Sequence, residues 1–181
     1  MIDSFDFLRA GHRHVSDSTN LKLTITGLVK TAAAAAGTDM GSLFLLHKAE
    51  GALYPYVLFN LPESYLVGCS TVPLGTQCCG RAALHKIPWY VEDMWTDPLF
   101  IDGRDAAKNS GIRAALSVPV LADNGDCLGS LAAHFRDLYR PGQKTVETFQ
   151  LLCTVIAAAI GRISTGPGEA ASSGGLEPCV P

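Results

Sequence analysis

Apolar residues recur every three or four positions near both ends of the chain, which is the spacing of one helix face. In the N-terminal part the recurring residues are Leu21, Ile25, Leu28, Ala32 and Ala35. In the C-terminal part they are Phe149, Leu152, Ile156 and Ile160. The pattern predicts a first helix that ends at Gly37 and a last helix that opens near Pro141. Leu151, Val155 and Ala158 add a second apolar face to the last helix, which we expect to meet a partner.

Between these helices, short runs of β-branched, aromatic and aliphatic residues alternate with turn residues, a pattern typical of strands. The predicted strands cover residues 42–47, 53–59, 70–73, 89–91, 112–121 and 127–135. Short helices are predicted over residues 78–85 and 105–110, and Asn124-Gly125 predicts a hairpin. This order indicates an α+β fold: a central antiparallel sheet with the terminal helices on one face and a lid on the other.

The lid is the segment of residues 92–111, a long connection with a composition of its own. It holds four aspartates, two glycines and one proline together with Trp95 and Phe100. A long connection inside a compact domain is usually a functional lid or disordered, and the aromatic and aliphatic residues argue against disorder. The aromatic residues Trp89, Tyr90, Trp95 and Phe100 are expected to wall a small-molecule cavity, to pack the lid onto the core, or to do both.

The composition of the 181 residues argues against several classes of function. A formal net charge of -3 gives no electrostatic basis for binding nucleic acid or an anionic membrane. No secretory signal is visible, and the longest strongly apolar stretch, residues 151–160, is too short to span a bilayer. We therefore expect a cytoplasmic chain whose six cysteines are reduced. Its length suits an N-terminal extension over residues 1–17, one domain over 18–163 and a disordered tail over 164–181.

Several short motifs follow one another from the third predicted strand onward. They are Gly75, Cys79-Gly80 and Ala82, then Asp93 and Asp97-Pro98, then Gly111-Ile112-Arg113, Ser117-Val118-Pro119 and Gly129. In this order and spacing, residues 21–162 resemble the GAF domain, a relative of the PAS domain found in bacterial sensor kinases and cyclic-nucleotide-regulated proteins. The resemblance implies a small-ligand cavity under the lid and terminal helices that pair two copies. No kinase, cyclase or DNA-binding segment is visible, so we expect output through a homodimer or a separate kinase or regulator.

Eight residues are candidate ligand contacts in such a fold. They are Cys79, Trp89, Asp93, Trp95, Phe100, Arg113, Ser117 and His134. Arg113 follows the lid directly, where its guanidinium can clamp an anionic group through two hydrogen bonds. It can equally fasten the lid by pairing with one of the lid aspartates, Asp93, Asp97 or Asp102.

The thiol of Cys79 has two interpretations. It begins a short helix, whose positive N-terminus can lower the pKa of a thiol and raise its reactivity. As a small buried hydrophobe it would instead pack beside Gly80. Cys78 is expected to be the more exposed thiol of the two. Cys78 or Cys79 together with Cys127 would suit a redox switch. The same cysteines would alternatively suit an enzyme similar to the GAF-related reductases of free methionine sulfoxide, which gather several cysteines in the cavity.

His134 lies in the last predicted strand, where strand alternation places it on the same face as Ala132. On the cavity side it can ligate haem iron, as a histidine does in some GAF domains, or hydrogen-bond another ligand. A strand histidine that is satisfied within the fold, or faces solvent, is the common alternative. The spacing of the five histidines predicts no metal site.

The first hypothesis is therefore a non-enzymatic sensor that binds a small ligand and relays a signal through dimer or partner contacts. No GxSxG, HExxH or phosphate-loop motif supports catalysis. The alternatives are a haem-binding gas or redox sensor that uses His134, and a cysteine-based redox switch or methionine sulfoxide reductase-like enzyme.

Overall fold

A computed structural model describes residues 15–164, with side chains described over 19–162. The predicted N-terminal extension and C-terminal tail lie almost entirely outside these residues. The helices in the described part are α1 (Val15–Ala35), α2 (Glu63–Cys69), α3 (Gln77–His85), α4 (Arg104–Ser110) and α5 (Gln143–Ser164). The strands are β1 (Met40–His47), β2 (Ala52–Phe59), β3 (Val72–Pro73), β4 (Trp89–Val91), β5 (Ala114–Leu121) and β6 (Cys127–Phe135). The predicted order of elements and the α+β class are confirmed.

The six strands form one antiparallel sheet in the order β3-β2-β1-β6-β5-β4. The last strand, β6, is central, and its His134 lies opposite Met40 of β1 and Ala115 of β5. Gly129 of β6 lies so close to β1 that a Cβ there would collide with the carbonyl oxygen of Phe44. The tight pairing of β1 with β6 therefore requires glycine at this position.

The terminal helices α1 and α5 pack on one face of the sheet, as predicted. Their buried side chains meet Leu131, Ala133 and Phe135 of β6 in one apolar core. The alternate β6 residues, Ala132 and His134, are buried on the opposite face, so the predicted sharing of a face by these two is confirmed.

The buried stripe of α1 differs from the prediction at its C-terminal end. Ile25 and Ala32 are buried as expected, but Ala35 is exposed and Ala36 is buried in its place. A helix turns through 3.6 residues, so a stripe that begins at Ile25 passes through Val29 and Ala32 and reaches Ala36 after three turns.

The last helix, α5, presents apolar residues on two sides. Phe149 and Ile156 are buried against the sheet, whereas the side chains of Leu151 and Val155 are 70% and 51% exposed. By length and composition alone, the stretch Gln143–Arg162 of this helix is long and apolar enough to cross a membrane, which the shorter stretch of residues 151–160 did not indicate. Only 22% of the longer stretch is buried in the domain, so packing against the sheet explains its apolar character only in part.

Candidate functional site

The lid closes over the second face of the sheet and buries a cluster of side chains there, which we call the lid core. The lid core comprises Met40, Tyr65, Cys69, Cys78, Val91, Met94, Phe100, Ala107, Ile112 and Ala115. Met94 and Phe100 are the large side chains that the lid contributes, and both are almost completely buried. Phe100, predicted as a cavity wall or a packing residue, occupies the space directly beneath the lid.

Small residues allow the lid to approach α2 closely. A Cβ at Gly68 of α2 would lie 2.6 Å from the Cβ of Ala106 in α4. A Cβ at Gly103 would lie 2.8 Å from the Phe100 ring and 3.2 Å from the Cys69 sulfur. Larger side chains at either position would hold α4 away from α2, so these glycines permit the closed position of the lid.

A buried ion pair fastens the middle of the lid to α3. The two terminal nitrogens of Arg81 lie 3.2 and 3.0 Å from the two carboxylate oxygens of Asp97. The Arg81 side chain is only 5% exposed, and its Nε donates to the backbone oxygen of Gln77. Asp97 also accepts a hydrogen bond from the Leu99 N–H at 2.7 Å. Sequence reasoning missed Arg81, although a lone charged residue among the small residues of α3 was a usable signal.

A second, more exposed ion pair fastens the start of the lid to its end. Arg113 Nη2 donates to Asp93 Oδ2 at 3.0 Å, and the guanidinium lies over the Trp95 ring. Trp95 Nε1 donates to the backbone oxygen of Ile112 at 2.9 Å. The hydrogen bond from Arg113 lowers the pKa of the Asp93 carboxyl. Of the two roles open to Arg113, this structure shows the fastening one, with Asp93 as the partner.

His134 lies on the lid side of the sheet and is almost fully buried. Its Nε2 is 3.0 Å from the hydroxyl oxygen of Ser42, and the Tyr65 ring meets the imidazole in a T-shaped contact with centroids 5.4 Å apart. Among the described residues no hydrogen-bond partner reaches Nδ1. Burial lowers the pKa of His134 to about 4, so the imidazole is neutral at pH 7.

The surroundings of His134 do not fit haem. Its Nε2 is engaged by Ser42, the Tyr65 ring packs against the imidazole, and Met40 lies directly opposite on β1. A haem plane next to the ring would require these buried side chains and the lid core to move apart. Within residues 15–164, no group of three histidine, cysteine or carboxylate side chains is placed to hold a metal ion.

The thiols at the start of α3 are both buried, Cys78 at 2% exposure and Cys79 at 7%. The expectation that Cys78 is the more exposed thiol is therefore wrong. Burial raises the pKa of both thiols, which outweighs the favourable position at a helix N-terminus. Cys78 Sγ lies 3.4 Å from the backbone oxygen of Trp89 and 3.6 Å from that of Ala115, and its single proton can be donated to either. Cys79 packs with Cys127 in a small apolar cluster.

Ser117 and Trp89, the remaining candidates, lie in different surroundings. Ser117 is fully buried on β5 and its hydroxyl oxygen is 2.7 Å from that of Ser130. Trp89 is half-buried, stacks on the His85 ring at 5.3 Å and has the Arg81 guanidinium over its own ring. The structure thus buries all four of Phe100, His134, Cys79 and Ser117, but only Phe100 and His134 lie with the lid core, whereas Cys79 packs in a separate cluster between α3 and the sheet and Ser117 bonds to Ser130. It gathers Asp93, Trp95 and Arg113 at the ends of the lid.

Comparison with known proteins identifies the architecture. The family model described as the GAF domain matches residues 20–160. The GAF domain of a phosphoenolpyruvate-protein phosphotransferase from Acinetobacter superposes with a TM-score of 0.66 at 18% identity, covering 91% of this chain and 98% of that one. A domain assigned to a two-component sensor histidine kinase of Sinorhizobium meliloti gives a TM-score of 0.63 at 17% identity, covering 76% and 88%.

A third solved structure of the same fold is an enzyme. The free methionine-R-sulfoxide reductase of Neisseria meningitidis, determined with its substrate, gives a TM-score of 0.58 at 21% identity, covering 78% of this chain and 84% of that one. At these identities the solved structures show the shared fold alone. No curated protein sequence matches the chain.

Proposed function

Because the chain belongs to the GAF domain family, we propose that it is a sensor or regulatory module that binds a small ligand beneath its lid. The observation that carries this proposal is the buried imidazole of His134. It faces the lid side of the sheet, and its Nδ1 has no hydrogen-bond partner among the described residues. A buried polar atom without a partner costs about 1–3 kcal/mol of stability, so a native fold that keeps one needs a reason, and a bound ligand that completes the hydrogen bond is such a reason.

The neutral imidazole suits a ligand with a hydrogen-bonding group. Ser42 can either donate to or accept from Nε2, so Nδ1 can take the complementary role toward a ligand. The neighbouring Tyr65 ring and the Met94 side chain would then contact the apolar part of the same molecule. The Met94 side chain is flexible, so it can change conformation when a ligand takes the place of a lid side chain in the buried cluster.

Two ion pairs of different exposure hold the lid closed. Its ends are held by the Asp93–Arg113 pair and its middle by the Asp97–Arg81 pair, and Gly111 ends it with a left-handed φ of 68°. Breaking an exposed ion pair costs little free energy, because water solvates both charges. The Asp93–Arg113 pair can therefore break before the buried Asp97–Arg81 pair. Ligand binding would then shift the population between closed and open lids.

The relay that we propose runs through β6 to the terminal helices. His134 faces the lid, and the next residue, Phe135, packs in the core with α1 and α5. The exposed side chains of Leu23 on α1, and of Leu151 and Val155 on α5, form apolar surface suited to a second copy of the chain. A separate kinase or regulator that covers the same helices would serve equally as the output.

Two features of the thiols support a regulatory rather than an enzymatic role. The five described cysteines are free and buried, and burial raises their pKa values. The lid itself contains no cysteine. A nucleophilic thiol is a thiolate with access to its substrate, and none of these five has that setting here.

Hydrogen exchange of the lid tests the proposal. Wild-type protein and a His134→Phe variant would be compared with and without a panel of amino acids, organic acids and nucleotides. We expect one class of compound to slow amide exchange over residues 92–111 in the wild type and to act far less on the variant. If no compound alters the lid, and its amides are already as protected as those of β5, the sensor proposal is wrong.

A further inference from the structure

Arg81 is a buried cation whose anionic partner comes from the lid. Its side chain is 5% exposed, and both of its terminal nitrogens bind the carboxylate of Asp97. Among the described residues no second carboxylate forms an ion pair with it. The Trp89 ring lies 5.7 Å away on one side. A guanidinium in such surroundings is strongly destabilised when it loses its carboxylate, so this position requires an anion.

The ion pair lies next to the lid core. Arg81 follows Cys78 by one turn on α3, and the charges of Arg81 and Asp97 act in opposite directions on the pKa of that fully buried thiol. Asp97 belongs to the lid, whereas Arg81 belongs to the body of the domain. When the lid opens, the carboxylate leaves with it, and the guanidinium is left bordering the space that the lid has vacated.

We infer that Arg81 is a binding residue for a ligand carboxylate and that Asp97 is its resident occupant while the lid is closed. An incoming carboxylate has the same planar shape and the same two acceptor oxygens, so it restores the two hydrogen bonds that lid opening breaks. This inference rests on the proposed function only in placing the ligand beneath the lid. It adds the ligand class, a small organic carboxylate.

The other lid ion pair provides a matched control. Asp93 binds Arg113 and accepts the Trp95 N–H through Oδ1, just as Asp97 binds Arg81 and accepts the Leu99 N–H. The difference is burial, because the Arg113 side chain is 36% exposed. Water solvates Arg113 when its carboxylate is removed, so a free carboxylate gains little by binding there.

The experiment replaces the resident carboxylate and supplies a free one. In Asp97→Ser and Asp93→Ser the serine hydroxyl can still accept the backbone N–H two residues on, so the local turn is retained. Thermal unfolding is measured at pH 7 in sodium acetate and in sodium chloride of equal ionic strength. For Asp97→Ser we expect acetate, at several times its dissociation constant, to raise the Tm by about 2–4 °C beyond its effect on wild type. Asp93→Ser and the double variant Arg81→Gln/Asp97→Ser should show no such extra rise.

The outcomes separate this inference from the proposed function. An equal acetate effect in wild type, Asp97→Ser and the double variant overturns the inference about Arg81, and so does an Asp97→Ser protein that stays unfolded in acetate as well as in chloride. In either case the sensor proposal still stands or falls on lid exchange in the wild type. Conversely, the sensor proposal is refuted and the carboxylate site established if acetate gives its specific rise while no compound alters the lid and the lid amides are as protected as those of β5.

Discussion

The guanidinium carbon of Arg113 lies 4.8 Å from the centre of the Trp95 ring. The same guanidinium donates to Asp93, and the indole of Trp95 donates to the backbone next to Arg113. The start of the lid is therefore tied by stacking, an ion pair and a hydrogen bond to the two residues that directly follow the lid, Ile112 and Arg113. This contact closes the lid into a loop with its two ends in one place.

Replacing Arg113 tests whether this contact holds the lid shut. In Arg113→Ala we expect several-fold faster amide exchange over residues 93–97, with little change in the urea midpoint, because the pair is partly exposed and its loss is local. Amide exchange in Arg113→Lys should be intermediate between the wild type and Arg113→Ala, because lysine keeps the charge but cannot stack a planar group on Trp95. Lys108→Ala on α4 serves as the control. Lid exchange that is equal in wild type and Arg113→Ala would refute the fastening role.

The buried His134 predicts a defined pH dependence of stability. Its pKa is about 4 in the folded protein and about 6.5 when unfolded, so below pH 6.5 the unfolded chain binds the proton more tightly. Stability should therefore fall as the pH drops from 6.5 toward 4, by about 3 kcal/mol from this group alone. Urea unfolding measured between pH 6.5 and 4 should show that the free energy of unfolding falls less in His134→Gln than in the wild type. A variant with the same slope as wild type would contradict the assignment.

Two glycine substitutions should have opposite effects. A methyl group at Gly129 collides with the carbonyl oxygen of Phe44, and backbone cannot yield there without parting β1 from β6. We expect Gly129→Ala to lower the free energy of unfolding by about 3 kcal/mol. Gly27 lies in α1 with open space around it, so Gly27→Ala should raise stability by about 0.5–1 kcal/mol. Chemical denaturation of both variants measures this, and a stable Gly129→Ala protein would show that the strands separate more easily than the structure indicates.

The apolar face of α5 predicts self-association. Light scattering of the wild type at micromolar concentration should give twice the monomer mass, and Leu151→Glu/Val155→Glu should give the monomer because it places charge on the exposed face. Val67→Glu is the control, since Val67 is 82% exposed on α2, away from the terminal helices. A wild-type protein that remains monomeric, or a Val67→Glu variant that dissociates equally, would rule out pairing through α5.

The buried thiols should resist modification in the folded protein. A Cys179→Ser variant leaves the five described cysteines, and burial raises the pKa of Cys69 and Cys153 to about 12. At pH 8 a thiol probe should react slowly and at a rate set by opening of the fold, whereas all five should react at once in urea. One thiol that reacts rapidly in the folded protein at pH 7 would favour the redox alternative.

Most of the fold was predictable because its signals are local. The spacing in α5 identifies its buried face, strand alternation places Ala132 and His134 on one side of β6, and Asn124-Gly125 identifies the hairpin between the last two strands. The one-residue error at Ala35 arose where a run of alanines gives no contrast between buried and exposed positions.

The arrangement of the site was less predictable because it depends on contacts between distant segments. Asp97 was expected among the partners of Arg113, but its partner is Arg81, sixteen residues away and on a different element. Likewise, a helix N-terminus suggested a reactive Cys79, whereas its pKa is raised by burial, which results from the packing of α3 against the sheet. Ser42 and Tyr65 approach His134 only because β1 and α2 converge on β6.

The two strands at the ends of the sheet, β3 and β4, contain two and three residues. Unpaired backbone groups along an edge strand are templates on which other chains add strands and aggregate, and short edges limit this. Pro73 in β3 also lacks an N–H with which to extend the ladder. Each of these terminal strands is by itself too short for a neighbouring chain to add a strand. However, β3 pairs only with Ala52 and Leu53 of β2, so no strand in the described part of the chain pairs with residues 54–59 on that side. The edge of the sheet with enough backbone to accept an extended peptide is therefore this part of β2, not the terminal strands.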